Sequence, residues 1–205
     1  MSDPNKNILL IGAGGHSISC IEVLKSSDFY NIFGLVDISK KNINIGDYKI
    51  LGDDNKAKEI FKSCKNALIT VGQIKSSRIR INLFSKYKDI GFKFPFIFSK
   101  TSVISKNTRI GEGTIMMHKV FVNSNVKIGK NCIINTASIL EHDVNISDFC
   151  HVSTGAILNG NVKVGKNSFI GSGAIIGNNI KIGNNVIISA GMFINENIKD
   201  NSIIK

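Results

Sequence analysis

The sequence predicts a chain in two halves: a small parallel Rossmann-like α/β sheet over residues 1–98, then a left-handed parallel β-helix over residues 99–205. Two observations carry this prediction. From Ile104 to Lys199 the chain can be cut into consecutive six-residue units without an insertion, and residues 1–98 show no such repeat. Residues 1–98 instead alternate short apolar runs with helical patterns, which is typical of a parallel sheet with crossover helices.

The elements of the first half follow from that alternation. The apolar runs predict strands at Asn7–Ile11, Ile32–Val36, Lys49–Leu51, Ala67–Val71 and Phe92–Phe98, and the helical patterns predict helices at Ser17–Ser26, Asn55–Ser63 and Ser76–Lys88. This length is about half of a full dinucleotide-binding fold, so a mononucleotide is a better candidate ligand than NAD.

The second half repeats with a period of six. Every unit begins with Ile, Leu, Val or Met, and its fifth position is small or aliphatic, as at Thr108 and Val186. This period fits neither a helix nor plain strand alternation, and it is typical of hexapeptide β-helices. Three units then form one coil of 18 residues, with Gly and Asn at its corners. Cys132 and Cys150 are one coil apart and are expected to be stacked neighbours in the core.

Composition argues against several function classes. The formal charge is +11, but among the basic residues only Arg78, Arg80 and Arg109 are arginines, so a nucleic-acid partner is not expected. A small polyanion such as coenzyme A or a nucleotide diphosphate fits the surplus charge better. No apolar run is long enough for a membrane span, and we expect a soluble, cytoplasmic protein. The four cysteines form no CxxC pair, so reduced core thiols are expected.

Two segments carry candidate chemistry. Gly12-Ala13-Gly14-Gly15-His16 lies between an apolar strand and a helix, where glycines let backbone amides approach a phosphate. Asp37 closes the second strand, where an acidic residue commonly binds ribose hydroxyls. In the repeat, His142 lies at a corner between Glu141 and Asp143. A neutral imidazole beside a carboxylate can accept a proton, which makes His142 a candidate general base. Spacing leaves open which carboxylate is its partner.

These segments resemble the acetyltransferases that modify nucleotide-activated amino sugars, including enzymes of UDP-N-acetylbacillosamine synthesis, and the related sialic acid O-acetyltransferases. The resemblance rests on Gly12–His16, Asn135–Asp143 and His151–Gly165 and covers nearly the whole chain. It implies that His142 is the general base and Asp143 its partner. It further implies a nucleotide-sugar pocket with Gly12, Gly14, His16, Asp37 and the positioning amide of Asn135, and acetyl-CoA contacts at His151, Gly160 and Gly173.

The resemblance predicts an acetyl-CoA-dependent N-acetyltransferase for a UDP-linked 4-amino-4,6-dideoxy sugar, with direct transfer, no metal and a homotrimeric assembly. Sialic acid O-acetylation is the alternative reaction, and a nucleotide-sensing trimeric scaffold is the non-enzymatic alternative. Zinc chemistry on the same fold is disfavoured, because His118 and His142 are not a whole number of coils apart. His142 and His151 are half a coil apart, so both could act on one thioester only if adjacent subunits supplied them. Otherwise His151 is only a packing or surface residue.

Overall fold

The computed structural model describes residues 5–39 and 44–205, which form two compact units. The first unit contains the described residues up to Gly72 together with Arg78–Pro95, and the second contains Gln73–Ser77 and Phe96–Lys205. Within the described ranges, every helix is too short or too polar to traverse a lipid bilayer. The division into functional domains after Phe98 stays a prediction.

The first unit has a three-stranded parallel sheet flanked by helices. Its described elements are β1 (Asn7–Ile11), α1 (Gly15–Ser27), β2 (Asn31–Val36), β3 (Asn44–Ile45), β4 (Tyr48–Lys49), a 3-10 turn (Asp54–Lys56), α2 (Ala57–Ile60), β5 (Asn66–Ile69) and α3 (Arg78–Ile90). The strand order is β2-β1-β5. Both β1 and β5 are buried at every residue, because both faces of a parallel sheet are covered by the elements that connect its strands. The predicted α/β sheet is therefore confirmed.

Several predicted boundaries in this unit are wrong. The segment Phe92–Phe98 is not a strand of the sheet: Lys93 makes only an isolated bridge to Asn66, and Pro95 has no N–H for a strand ladder. The strand predicted at Lys49–Leu51 starts at Tyr48 and pairs antiparallel with β3. The helix predicted at Asn55–Ser63 is divided into the 3-10 turn and the short α2.

The second unit is a parallel β-helix, as predicted. Its strands are all two residues long: β6 (Ile97–Phe98), β7 (Val103–Ile104), β8 (Arg109–Ile110), β9 (Ile115–Met116), β10 (Phe121–Val122), β11 (Lys127–Ile128), β12 (Ile133–Ile134), β13 (Ile139–Leu140), β14 (Asn145–Ile146), β15 (His151–Val152), β16 (Ile157–Leu158), β17 (Lys163–Val164), β18 (Phe169–Ile170), β19 (Ile175–Ile176), β20 (Lys181–Ile182), β21 (Ile187–Ile188), β22 (Phe193–Ile194) and β23 (Ile203–Ile204). They form three sheets, with the orders β22-β19-β16-β13-β10-β7, β20-β17-β14-β11-β8 and β23-β21-β18-β15-β12-β9-β6.

The six-residue unit determines which side chains enter the core. First-position residues such as Leu140 and Leu158 and fifth-position residues such as Val144 and Val162 are buried in one continuous cluster. Fourth-position residues form the corners with left-handed backbone, as at Asn161 (φ 60°), where Gly and Asn have the lowest strain.

The expected stacking of the two core thiols is confirmed. Cys132 and Cys150 are both fully buried, and the strands that follow them pair in register at Ile133 and His151. Burial, followed by contact with the Cys132 thiol, raises the pKa of Cys150. Packing is therefore the role that the fold gives these cysteines.

The repeat differs from its predicted register at both ends. Phe98, predicted to end the first half, occupies a first position because it pairs with Met116 one coil later. At the other end, the unit predicted at Ile194–Lys199 is wrong. Ile198 pairs with Ile182, only 16 residues away, so the last coil lacks two residues and Ile198 begins a new unit. Asn201 is the left-handed corner of that unit, with φ 61°.

Two of the three outer surfaces of the β-helix have a distinct chemistry. We call the outward residues of the β7-to-β22 sheet the apolar face: Val103, Phe121, Ile139, Ile157, Ile175 and Phe193. We call the outward residues of the β8-to-β20 sheet the basic face: Arg109, Lys127, Asn145, Lys163 and Lys181. Because β13 precedes β14, the corner at residues 141–144 lies where these two faces meet.

Candidate active site

A histidine and an aspartate form a pair at that corner. His142 Nδ1 lies 2.9 Å from Asp143 Oδ2, and both side chains are largely exposed. Hydrogen bonds from His142 and from the Asn125 amide hold the pKa of Asp143 below its usual value. An ionised carboxylate only accepts hydrogen bonds, so Nδ1 carries the ring proton and the Nε2 lone pair is available.

The corner geometry brings the two side chains together. Asp143 occupies the fourth position of its unit and has φ 62°, the left-handed conformation that Asn and Gly adopt at the equivalent corners. Asn125 lies one coil before it and donates to its Oδ1 at 3.3 Å. Asp143 thus replaces an asparagine in a corner ladder, and the replacement adds a charge beside His142.

The structure also resolves which acidic neighbour contacts the histidine. Glu141 accepts a hydrogen bond from Asn123 Nδ2 at 2.7 Å, whereas Asp143 contacts the imidazole. Asp143 is therefore the carboxylate partner in this geometry.

Gly160 lies one coil after His142, beneath its ring. A Cβ placed on Gly160 would lie 2.6 Å from His142 Nε2, too close for any real contact. The absence of a side chain at residue 160 therefore makes room for the imidazole. Gly173 is a left-handed corner (φ +66°) with no atom within 4 Å of a built Cβ. The roles of both glycines in acetyl-CoA binding stay predictions.

His151 and Asn135 form a separate group, because His151 belongs to the third sheet. His151 is only 7% exposed, and its Nδ1 lies 2.6 Å from the carbonyl oxygen of Gln73, so Nδ1 must donate. Its Nε2 lies 3.2 Å from Asn135 Nδ2 and accepts from that amide. In this arrangement the ring has no proton left for a thioester carbonyl, and its contacts are those of a packed side chain. The acetyl-CoA contact that the resemblance implies for His151, with its ring as a donor to the thioester carbonyl, stays a prediction and would require these contacts to break.

The glycine turn of the first unit has the backbone that its sequence predicts. Gly12 has φ +106°, and a Cβ there would lie 2.5 Å from Val71 Cγ2, so only glycine fits. Gly14 caps α1, and no atom lies within 4 Å of a Cβ built on it. The first turn of α1 contains His16 and no acidic residue, which leaves its N–H groups suited to an anion.

Asp37 supports this turn directly. Its Oδ2 accepts the Ala13 N–H at 2.7 Å, and its Oδ1 accepts the N–H and hydroxyl of Ser39 at 2.9 and 2.7 Å. These bonds hold the end of β2 against the turn. Contact with a ribose stays a prediction.

Sequence reasoning missed the structural role of Arg80. Its side chain is 1% exposed, and its Nη1 donates to the carbonyl oxygens of Ile69 and Val71 at 3.0 and 2.7 Å, at the carboxyl end of β5. The available signal was the spacing from Tyr87, two helical turns later, which is also buried. Arg80 thus holds the strand end beside the glycine turn.

No cluster of three His, Cys, Asp or Glu side chains that could hold a metal is found among the described residues. His118, considered for zinc, lies at a different corner from His142, and its Nδ1 is 2.7 Å from Ser99 Oγ.

Two family models match the chain. Residues 7–87 match the PglD N-terminal domain, and residues 161–195 match the bacterial transferase hexapeptide repeat. No curated protein matches this chain in sequence.

Solved structures resemble this chain over nearly its whole length. A histidine mutant of perosamine N-acetyltransferase from Caulobacter crescentus, in complex with CoA and GDP-perosamine, is 27% identical, with 96% of this chain and 92% of that chain covered and a TM-score of 0.91. The acetyltransferase domain of PglB from Neisseria gonorrhoeae, in complex with acetyl coenzyme A, is 27% identical, with 97% and 95% covered and a TM-score of 0.89. WeeI from Acinetobacter baumannii, at 24% identity, 97% and 96% coverage and a TM-score of 0.86, shares the fold.

Proposed function

Because this chain is a hexapeptide-repeat sugar acetyltransferase with a PglD-type N-terminal domain, we propose that it transfers the acetyl group of acetyl-CoA to the amine of a nucleotide-linked amino sugar. The observation that carries the proposal is the exposed His142–Asp143 pair, whose Nε2 is free to accept a proton. The perosamine N-acetyltransferase structure, which holds CoA and a GDP-linked amino sugar, supports this substrate class. UDP stays the nucleotide that we propose first for this sugar.

The proposed reaction is a direct transfer. The sugar amine attacks the thioester carbon, and His142 Nε2 takes a proton from the attacking nitrogen as the carbon–nitrogen bond forms. Asp143 stabilises the resulting imidazolium. The carbon–sulfur bond then breaks, and the thiolate of CoA takes the proton from His142. A general base contributes about 10² to 10⁴ in rate, and holding the two substrates in line contributes effective molarities on the order of 10⁵ M or more.

The cysteines support a route without an acyl-enzyme. All four are buried, and burial raises the pKa of Cys20 to about 12 and that of Cys64 to about 11. A thiol with such a pKa is almost wholly protonated at neutral pH and is a poor nucleophile.

We also propose that the amides of the Gly12–Gly15 turn and the N-terminus of α1 bind a phosphate of the nucleotide. The support is the left-handed Gly12, the open Gly14 and the lack of an acidic residue in the first turn. His16 and Asp37 belong to the same turn and are the side chains we propose beside the nucleotide.

A homotrimer is the assembly we propose. The apolar face is a continuous ladder in which Val103 and Phe193 are 59% and 64% exposed, and exposed apolar patches of this kind mark interaction sites. Three copies that bury this face would place the His142 corner at a subunit boundary. Phe121→Asp, on that face, should lower the molar mass measured by light scattering from three chains towards one. A wild-type protein with the mass of one chain would contradict the assembly.

The test of the reaction is a thiol-release assay with acetyl-CoA and a panel of UDP-, GDP- and dTDP-linked 4-amino sugars, with sialic acid as the hydroxyl acceptor. We expect turnover with at least one amino sugar. Asp143→Asn is the matched variant, because asparagine already occupies equivalent left-handed corners at Asn125 and Asn161. It should keep the fold and lose most turnover. Absence of turnover with every amino sugar, or full turnover by Asp143→Asn, would reject the proposal.

A further inference from the structure

The basic face places like charges in register along one side of the β-helix. Lys127 pairs with Arg109, and Lys163 pairs with Lys181, in adjacent strands. Adjacent strands are about 4.8 Å apart, and like charges opposite each other in a sheet are destabilising. Within the described residues, none of these four cations forms an ion pair within 4 Å. Such an arrangement is relieved when an anion binds across it.

A groove runs along this face and reaches the candidate catalytic corner. Its volume is about 700 Å³, within the usual range for a site that holds a nucleotide-sized ligand. Its cationic lining consists of Lys106, Arg109, Lys127 and Lys163. Asp143 also lines the groove and contacts His142, so one wall is shared with the pair.

The lining determines the chemical class of the ligand. The lining also contains the amides of Asn125 and Asn161, beside its three lysines and Arg109, and it includes no aromatic side chain. Amide N–H groups and ammonium or guanidinium groups are donors that suit phosphate oxygens. A ligand with several phosphates matches this groove better than a neutral sugar does.

We propose that the basic groove binds phosphate groups of a substrate and thereby holds its reactive end at the His142–Asp143 corner. This inference rests on the proposed function for the identity of the substrate, which is CoA, with its diphosphate and 3′-phosphate, because the phosphate of the nucleotide sugar is assigned to the Gly12–Gly15 turn. A nucleotide diphosphate carries the same chemical groups, and binding measurements distinguish it from CoA.

The test variant is Lys127→Met/Lys163→Met, which removes two charges and keeps most of the side-chain volume. Its control is Lys166→Met/Lys199→Met, which removes two lysines that do not line the groove. Calorimetry with CoA, dephospho-CoA and GDP measures binding without any need for turnover. Hydrogen bonds from charged groups to phosphate are among the stronger ones in proteins, so we expect the test variant, which removes two such groups, to weaken binding tenfold or more. It should also reduce the salt dependence of binding.

Each outcome decides the proposal. Weakened binding of CoA but not of GDP supports the groove as a CoA site, and weakened binding of GDP alone overturns the proposal. If the difference between CoA and dephospho-CoA disappears in the test variant, the 3′-phosphate lies in the groove. Unchanged affinities for all three probes, or equal losses in the control variant, overturn the proposal. A wild-type protein that binds CoA but acetylates no amino sugar rejects the proposed function and leaves the groove intact.

Discussion

The β-helix and the α/β unit both bury a hydrophobic core, but they differ in how far apart along the chain their hydrogen-bonded backbone groups lie. In the β-helix, a backbone group finds its partner one coil away, as Ile133 N–H does at the Cys150 carbonyl and Ile139 N–H at that of Ala156. In the α/β unit, β1 pairs with two segments at unrelated distances along the chain, β2 and β5. In the β-helix, a candidate functional residue can therefore be recognised in the sequence as a departure from the repeat.

The largest expected effect tests whether the departure at His142 is the catalytic one. His142→Ala should lower kcat by about 10² to 10⁴, the usual contribution of a general base, and should leave the affinity for CoA nearly unchanged. Steady-state kinetics and calorimetry measure the two quantities. Because the ring is exposed and outside the core, the thermal midpoint should stay within a few degrees of wild type. Near-normal turnover would remove His142 from the mechanism.

The contrast between the units also explains which predictions succeeded. Leu140 and Leu158 could be placed in the core because their positions in the six-residue unit decide their direction. The Phe92–Phe98 segment could not be placed, because a short apolar run does not say which sheet it joins, and Ile97 and Phe98 join the β-helix. The two-residue deletion before Ile198 could not be seen in the sequence. In the predicted unit Ile194–Lys199, Ile198 is the fifth residue, and an aliphatic residue fits that position as well as the first position that Ile198 occupies in the structure.

The candidate site was only partly predictable for the same reason. The neighbours of His142 in sequence are visible, but the choice of Asp143 over Glu141 depends on the left-handed corner and on the bond between Glu141 and Asn123. Gly160 was named for CoA, whereas its position under the imidazole depends on the coil height. The contacts of His151 with Gln73 join distant segments, and no periodicity could predict them.

The second prediction concerns a contact that only the α/β unit has. Arg80→Met should lower the free energy of unfolding of that unit by about 2–4 kcal/mol, because two hydrogen bonds from a charged group are lost and buried carbonyls stay unsatisfied. Urea unfolding followed by Tyr87, which lies in the same helix, measures the change. Arg78→Met, in the first turn of α3, is the control and should cost far less. Equal costs for the two variants would show that burial of Arg80 is unimportant.

The third prediction tests whether the coil height at Gly160 matters. Gly160→Ala should lower kcat about tenfold, because its methyl group would lie 2.6 Å from His142 Nε2 and displace the ring from its position. The backbone of Gly160 has no positive φ, so alanine is tolerated by the corner itself. The same change in the His142→Ala background should have no further effect on kcat. A full tenfold loss in that background would show that Gly160 acts elsewhere, for example on CoA.

The smallest expected effect compares the thiols of the two units at alkaline pH. Burial raises the pKa of Cys20 from 9.0 to about 12, so the native state holds the neutral thiol while the unfolded chain ionises. A raised native pKa means that its stabilising contribution is complete below pH 9 and is lost as the pH rises towards 12. Between pH 8 and pH 10 the loss should be about 1 kcal/mol.

Cys20→Ala should remove that part of the pH dependence, measured as the change in urea midpoint between the two pH values. Cys150→Ala is the matched variant in the β-helix, where burial also raises the pKa of the thiol. Lysine and tyrosine titrations are shared by all three proteins and cancel in the comparison. Identical pH dependence in wild type and Cys20→Ala would show that this thiol ionises as readily in the folded α/β unit as in the unfolded chain.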